Sequence, residues 1–303
     1  MKNPIIILTG PTASGKTALS LDLAKKFNGE IIAADSMTVY KGMDIGTDKP
    51  KHNTRYSIHN NEISGIPHHM IDILNPDEEF NVAIFKDLAE KQIKEIHGRG
   101  NIPFLVGGST LYIDALVYDY QMPETKPNLK LRASLESKSK EKLFSQLIEL
   151  DPDAEWTVDR NNKRRLIRAL EVTLSTGKPF TKQKSKKKLL DNILYLAIER
   201  DRQELYERIN SRVDEMMAEG FLDEVKELHK KYDLSTAMQA TGYRQLSQYL
   251  EDEISLEEAI EKTKQSHRNY AKRQLTWLRR NKDVIWVKNK TEAEEEIREF
   301  LES

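Results

Sequence analysis

Hydrophobic residues form short continuous runs at three places in the first third of the chain. Residues 5–8 read Ile-Ile-Ile-Leu, and similar runs occupy 30–34 and 102–106. Continuous β-branched runs of this length predict buried strands, whereas residues 18–27 place apolar side chains at helical spacing. Strands separated by helices predict an α/β fold with a parallel sheet, whose ligands bind at the carboxyl ends of the strands.

The pattern changes between about residues 122 and 189. Strand-like runs disappear there, and leucines recur at helical spacing, as in Leu143, Leu147 and Leu150. A strand-like run at 193–198 then returns the chain to the sheet, and residues 203–277 are mostly amphipathic helix. We therefore predict a core of residues 1–121 and 190–303 and an all-helical insertion of residues 122–189.

Composition excludes several classes of protein. The 303 residues contain no cysteine, which excludes a disulfide scaffold and Cys-type zinc fingers. The first apolar run is four residues long, far short of the ~20 that span a bilayer. With 48 Lys and Arg against 49 Asp and Glu, overall charge gives no information about partners. We expect a soluble, cytoplasmic monomer without an obligate protein partner.

A phosphate-binding motif follows the first predicted strand. Residues 10–17, GPTASGKT, fit G-x-x-x-x-G-K-[ST] between a strand and a helix, the context this motif requires. Loop amides and the helix N-terminus bind phosphate, Lys16 adds positive charge, and the Thr17 hydroxyl suits magnesium. We predict a P-loop NTPase-like core whose diphosphate-binding residues are Gly10, Pro11, Thr12, Ala13, Ser14, Gly15, Lys16 and Thr17.

A P-loop by itself indicates a diphosphate or a triphosphate such as ATP. No convincing hydrophobic strand ends in the aspartate that holds magnesium in P-loop ATPases, which favours a small P-loop transferase. Asp35 follows the second predicted strand and is expected to face the same cleft. It is either a general base, or an acceptor that orients a nucleophilic N–H, or a simple turn or helix-capping residue.

Basic residues cluster in three stretches, at 160–168, 178–188 and 268–282. Tyr270 and Trp277 interleave the last stretch, a combination typical of phosphate contacts with base stacking. Ordinary solvated helix faces are the alternative for each stretch taken alone. Together, the three clusters favour a nucleic-acid partner.

The chain resembles tRNA dimethylallyltransferases, also called tRNA isopentenyltransferases, over nearly its whole length. The resemblance rests on six segments: GPTASGKT at 10–17, DSM at 35–37, IGTDKP at 45–50, RLIRALEV at 165–172, GYR at 242–244 and YAKRQLTW at 270–277. It implies transfer of a dimethylallyl group from dimethylallyl diphosphate, with Mg²⁺, to N6 of adenosine 37. The acceptors would be tRNAs that read codons beginning with U, bound through the anticodon stem-loop.

The same resemblance implies roles for individual residues. Asp35 would accept the N6 proton, and Arg212 would join Lys16 and Thr17 at the diphosphate. The helical insertion would grip the anticodon stem. The implied tRNA contacts are Asp35, Ser36, Met37, Thr38, Ser109, Arg132, Arg164, Arg165, Leu166, Ile167, Arg168, Gln239, Ala240, Thr241, Gly242, Tyr243, Arg244, Lys272, Arg273 and Gln274.

Three other functions are weighed against this one. A small-molecule kinase shares the P-loop architecture but leaves the basic second half unexplained. A prenyltransferase acting on free adenine nucleotides needs no RNA-binding insertion. A non-catalytic RNA-binding protein needs the basic clusters but not a P-loop together with Asp35.

Overall fold

The structure is a computed structural model that describes residues 3–50, 58–59, 62–120, 128–183, 189–190, 192–232 and 235–303. Most of the polar stretch 51–61 and the lysines at 184 and 186–188 therefore lie outside the described residues. The chain divides into two compact units. Unit 1 comprises Met1–Val117 with Leu189–Ser303, and unit 2 comprises Tyr118–Lys188.

Unit 1 contains a mostly parallel sheet, as the sequence predicts. Within the described ranges its strands are β1 Ile5–Thr9, β2 Gly29–Ala33, β3 Ile58–His59, β4 Glu62–Ile63, β5 Ile66–His69, β6 Ile102–Gly107, β7 Ile193–Ile198 and β8 Ile285–Val287. Their order is β3-β4-β5-β2-β6-β1-β7-β8. Pairing is antiparallel from β3 to β5 and parallel in the rest of the sheet.

The strands that are recognisable in the sequence are those that are buried on both faces of the sheet. In the central strand, Ile7 pairs with Leu105 of β6 and with Tyr195 of β7, and every residue of β1 is buried. A strand covered on both faces reads as a continuous apolar run. The sequence analysis missed β5 because it reads Ile-Pro-His-His and is buried only at alternate positions.

Eight helices of unit 1 lie in the described residues. They are α1 Lys16–Lys26, α2 Val82–Gly98, α3 Thr110–Val117, α8 Arg202–Ala218, α9 Phe221–Tyr232, α10 Tyr243–Leu250, α11 Leu256–Arg279 and α12 Lys290–Glu302. Side chains of Asn81, Asp201 and Ser255 accept backbone N–H bonds at the starts of α2, α8 and α11. Such caps satisfy donors that a helix leaves unpaired at its first turn. No helix in the described ranges is long and apolar enough to cross a membrane.

Unit 2 is helical, with α4 Leu129–Glu136, α5 Lys140–Leu150, α6 Ala154–Thr157 and α7 Lys163–Thr176. Its core is formed mainly by leucines of α4, α5 and α7. Leu166 and Ile167 belong to this core, with 0% and 4% of their surface exposed. Their predicted contact with tRNA is therefore wrong for the side chains, because the apolar face of α7 packs inside the unit.

Candidate active site

A cavity of about 550 Å³ opens at the carboxyl ends of β1, β2 and β6. The P-loop follows β1, Asp35 follows β2, and Gly107 and Gly108 end β6. Side chains of α8 and α11 complete the lining. The cavity therefore lies where the switch in strand order of an open α/β sheet predicts a ligand.

The P-loop has two residues in the left-handed region of backbone conformation just before α1. Ala13 and Gly15 have φ values of 61° and 93°, and α1 begins at Lys16. Lys16 Nζ donates to the carbonyl oxygen of Pro11 at 2.8 Å. Loss of hydration lowers the pKa of Lys16 to about 8, and the carboxylates of Asp35 and Asp48 oppose that shift. A bound polyanion would favour the charged form of this lysine.

Asp35 shapes the turn after β2 and also lines the cavity. Its Oδ1 accepts from the backbone N–H of Met37 at 2.8 Å and of Thr38 at 3.4 Å. The hydroxyl of Ser109 accepts from the Ser36 N–H at 3.1 Å, so the next loop is tied to this turn. The structure is therefore compatible with both interpretations of Asp35, as a residue that forms the turn and as a carboxylate that acts on a ligand in the cavity.

Gln274 of α11 bridges two loops at the site. Its Oε1 accepts from the Thr12 N–H at 3.0 Å, and its Nε2 donates to the Gly108 carbonyl at 2.8 Å. A Cβ on Gly108 would lie 2.3 Å from that amide nitrogen, so any other residue there would displace the Gln274 amide. Tyr270 OH also donates to the Gly108 carbonyl, at 3.3 Å. Because Gln274 is 3% exposed and bonded at both amide atoms, the structure makes it a support of the loops.

Arg212 of α8 lines the cavity, and three carboxylates lie close to its guanidinium group. It lies 2.6 Å from Asp48, 3.2 Å from Glu215 and 3.7 Å from Glu219. One helical turn earlier, Arg208 Nε donates to the Ala13 carbonyl at 2.9 Å. The Arg208 contact places this face of α8 against the P-loop, and the role of Arg212 at a diphosphate stays a prediction.

Arg200 and Arg208 contact the P-loop, and sequence reasoning missed both of them. Arg200 Nε donates to the Ser14 carbonyl at 3.1 Å, so both arginines hold the outer backbone of the P-loop. The available signal was the four-residue spacing of Arg208 and Arg212, which puts both on one helix face.

Comparison with known proteins identifies the family. A model described as IPP transferase matches residues 38–281, and one described as isopentenyl transferase matches residues 3–61. The tRNA dimethylallyltransferase of Anoxybacillus flavithermus is 44% identical over 306 residues, covering 99% of this chain and 96% of the relative. This chain belongs to the tRNA dimethylallyltransferase family. The resemblance read from the six motifs is therefore confirmed.

Other members of the family are similarly close. The tRNA dimethylallyltransferase of Bacillus subtilis is 44% identical over 292 residues, which is 94% of this chain and 90% of the relative. The crystal structure of a tRNA isopentenylpyrophosphate transferase from Bacillus halodurans has a TM-score of 0.73 at 40% identity, covering 99% and 97% of the two chains. A eukaryotic dimethylallyltransferase acting on tRNA has a TM-score of 0.74 at 33% identity, covering 90% of this chain and 69% of its own.

Tyr243, one of the tRNA contacts implied for this dimethylallyltransferase family member, is fully buried. Its OH donates to Glu224 Oε1 at 2.6 Å, and Glu224 accepts from the N–H groups of Asp44, Ile45 and Gly46. Gly242 is buried too. The prediction of direct contact is corrected for the Tyr243 side chain, which helps to fix residues 44–46 through Glu224, whereas the Gly242 N–H donates to Gln245 Oε1 at the start of α10. Of the neighbouring candidates, Gln239 and Arg244 are exposed, and Ala240 and Thr241 are partly exposed.

The predicted arginines of unit 2 fall into two groups. Arg132 and Arg168 both bind the carboxylate of Glu171, at 2.8–2.9 Å, and Glu171 is fully buried. Arg164 and Arg165 are exposed. The first pair therefore has a structural bond that the sequence analysis did not foresee. In unit 1, Lys272 and Arg273 are exposed, as RNA contacts must be.

The donors that could hold a metal are hydroxyls rather than a carboxylate cluster. No group of three or more His, Asp or Glu side chains suited to a metal occurs in the described ranges. Thr17 lines the cavity, and the neighbouring Ser14 hydroxyl is buried without a hydrogen-bond partner. Mg²⁺ prefers few protein ligands together with phosphate oxygens and water, so these residues fit it only with a phosphate ligand present.

Proposed function

We propose that this chain transfers the dimethylallyl group of dimethylallyl diphosphate to N6 of adenosine 37 in tRNAs that read codons beginning with U. The observation that carries the proposal is that the P-loop and Asp35 line one cavity. A phosphate site and a carboxylate that face each other suit displacement of diphosphate by a weak nucleophile. Family membership supports the same reaction.

The P-loop side of the cavity would hold the leaving group. Loop amides, Lys16 and Arg212 place positive charge where diphosphate charge develops, which stabilises the transition state more than the ground state. Arg200 and Arg208 keep the loop in shape through its carbonyls. Magnesium, held by Thr17 and diphosphate oxygens, would supply further positive charge to the leaving diphosphate.

Asp35 would act on the acceptor. The N6–C1 bond forms, the C1–O bond to diphosphate breaks with its electron pair, and the N6 proton passes to the carboxylate. A carboxylate with a reference pKa of ~3.9 cannot deprotonate a neutral amine in advance. Proton transfer therefore accompanies attack, and the turn bonds of Asp35 with Met37 and Thr38 keep its carboxylate in place.

Recognition of tRNA would use the exposed cations of both units. An adenine stacked in an anticodon loop cannot present N6 to a deep cavity, so the base must be flipped out. Exposed arginines and lysines bind phosphates and fix the position of the strand. The candidates are Arg164 and Arg165 in unit 2 and Arg244, Lys272 and Arg273 in unit 1. We further propose that the protein carries out this reaction in the cytoplasm and as a monomer.

The decisive experiment follows radiolabel from dimethylallyl diphosphate, with magnesium, into an unmodified anticodon stem-loop, with AMP and ATP as competing acceptors. Label in the stem-loop alone is expected. Label only in AMP or ATP would make the protein a free-nucleotide prenyltransferase. No transfer to any acceptor, with phosphoryl transfer from ATP instead, would favour the kinase.

Asp35→Asn separates catalysis from binding. The amide keeps an oxygen for the Met37 and Thr38 N–H groups but cannot take a proton. We expect kcat to fall about 10²–10⁴-fold, the usual contribution of a general base. Filter binding of the stem-loop should change by less than about two-fold if only proton transfer is lost. Loss of binding with normal turnover of the bound RNA would instead make Asp35 a structural turn residue.

A further inference from the structure

Asp48 stands at the rim of the cavity, directly against Arg212. Its Oδ1 lies 2.6 Å from the guanidinium, and the residue lines the same cavity as Lys16. Its negative charge is also close enough to raise the pKa of Lys16. One carboxylate thus interacts with both cations that the proposed reaction assigns to the diphosphate.

The backbone around Asp48 is held rigidly. Glu224 accepts from three consecutive N–H groups, of residues 44, 45 and 46, at 2.7–3.1 Å. The next side chain, Lys49, is 1% exposed and bonded to Asp44 at 2.8 Å and Asp72 at 2.5 Å. Asp48 itself has a φ of 54°, in the left-handed region. The position of its carboxylate is therefore set by the fold rather than by a loose loop.

We propose that Asp48 is an internal anion that competes with the substrate diphosphate for Arg212 and thereby sets the affinity of the cavity for polyanions. The inference rests on the proposed function, because it takes the ligand of the P-loop to be a diphosphate. Asp48 is a positioning residue in this scheme: it acts on the ligand through Arg212 and touches no reacting atom.

Electrostatics gives the direction of the effect. When diphosphate reaches Arg212, the carboxylate either loses its bond with the guanidinium or stays beside a second anion. Both outcomes cost free energy that binding must offset. Glu215 and Glu219 also contact Arg212, but at the longer distances of 3.2 Å and 3.7 Å, and from the helix of the arginine or its C-cap. Asp48 is exposed to a similar degree, 46%, but makes the shortest contact, 2.6 Å, from a separate loop, so Asp48 is the competitor whose position the fold sets.

Asp48→Asn tests the proposal with little disturbance of the backbone. Asparagine tolerates a left-handed φ and has the shape of aspartate without its charge. Glu227→Gln is the matched control: it removes one charge from an exposed pair with Lys230 on α9, which does not line the cavity. The probe is inorganic pyrophosphate, titrated calorimetrically into the full-length chain without tRNA, in the presence and absence of magnesium.

We expect Asp48→Asn to bind pyrophosphate about ten-fold more tightly than the wild type, equivalent to ~1.4 kcal/mol, and Glu227→Gln to be unchanged. In turnover, the KM for dimethylallyl diphosphate should fall by a similar factor. The kcat should stay constant or fall, because the diphosphate product is held more tightly as well. A role limited to folding would lower thermal stability without tightening pyrophosphate binding.

Equal or weaker pyrophosphate binding by Asp48→Asn would overturn the inference. Weaker binding only with magnesium would also overturn it, since Asp48 would then be a metal ligand. The pyrophosphate titration needs no tRNA, so its result is independent of the transfer reaction. If the variant bound pyrophosphate more tightly but the wild type transferred no label, the proposed function would be rejected. The inference that Asp48 competes with anions for Arg212 would still hold. If neither protein binds pyrophosphate, both proposals fail.

Discussion

Two arginine–carboxylate networks in this molecule differ in the burial of their carboxylates. In unit 2, Arg132 and Arg168 bind Glu171, whose side chain has no exposed surface. In unit 1, Arg212 binds Asp48, Glu215 and Glu219, each 46–48% exposed. The shortest contact of Arg212, 2.6 Å to Asp48, is no longer than the 2.8 Å contacts with Glu171, so distance alone does not distinguish the two networks.

The difference in burial separates a structural ion pair from an exchangeable one. A buried carboxylate that loses its partners has no water to replace them, so its network is bound to the fold. Exposed carboxylates exchange protein partners for water at little cost. The Arg212 network can therefore give way to an anionic ligand, whereas the Glu171 network holds α4 and α7 together.

Replacing Glu171 by alanine tests the structural side of this comparison and has the largest expected effect. Two guanidinium groups lose their shared carboxylate, and the Asn128 N–H loses its acceptor. We expect the free energy of unfolding of unit 2 to fall by about 3–5 kcal/mol. Urea denaturation with hydrogen exchange on α4 and α7 measures it, and exposed Glu155→Ala on α6 is the control.

Acid should weaken the same network in the wild type. Burial alone would raise the pKa of Glu171, but the hydrogen bonds from Arg132 and Arg168 dominate and lower it. Its stabilising contribution is therefore full above the unfolded value of 4.5 and is lost as pH falls through the lower folded pKa. Equal acid sensitivity of wild type and Glu171→Ala would contradict the assignment.

Gln274→Ala tests whether hydrogen bonds from a neutral side chain hold the cavity loops in place. In unit 2, by contrast, the ion pairs of the buried Glu171 hold the helices together. The change leaves the Thr12 N–H without its side-chain partner, whereas the Gly108 carbonyl keeps its bonds with the Tyr270 hydroxyl and the Thr110 N–H. One unsatisfied group of this kind costs about 1–3 kcal/mol, so we expect kcat/KM to fall about 10- to 100-fold.

Two further substitutions sharpen this test. Gln274→Glu keeps the acceptor for Thr12 but cannot donate to Gly108, so it should recover only part of the loss. Gln248→Ala, which breaks an exposed bond to Glu253, should have no effect on turnover. Activity of Gln274→Ala within two-fold of wild type would show that the bridge is dispensable.

Arg165→Ala has the smallest expected effect and separates free arginines from paired ones. We expect stem-loop affinity to fall about three- to ten-fold at low salt, and the slope of log affinity against log salt to decrease by about one, with unchanged stability. Arg168→Ala should lower both affinity and stability, because it also breaks the bond to Glu171. If Arg165→Ala and Arg168→Ala were equally stable, the distinction between exposed arginines and those bound to Glu171 would be wrong.

Local patterns were enough to predict that the P-loop and Asp35 line the same cleft. The P-loop motif, the buried strands and the carboxylate at the end of β2 depend on neighbours in sequence, so they are visible without a fold. Arg200, Arg208 and the bridging role of Gln274 were not visible. Thr12 and Gln274 are 262 positions apart, and no local pattern reports such a contact.

The sequence by itself determined the family, the α/β core, the position of the P-loop motif and which basic residues are candidates for binding RNA. Only the tertiary structure decided which of those residues reach solvent. Leu166, Ile167 and Tyr243 share motifs with exposed arginines, yet they are buried. The physical reason is that burial results from packing between helices distant in sequence, while a motif records only the order of residues along one of them.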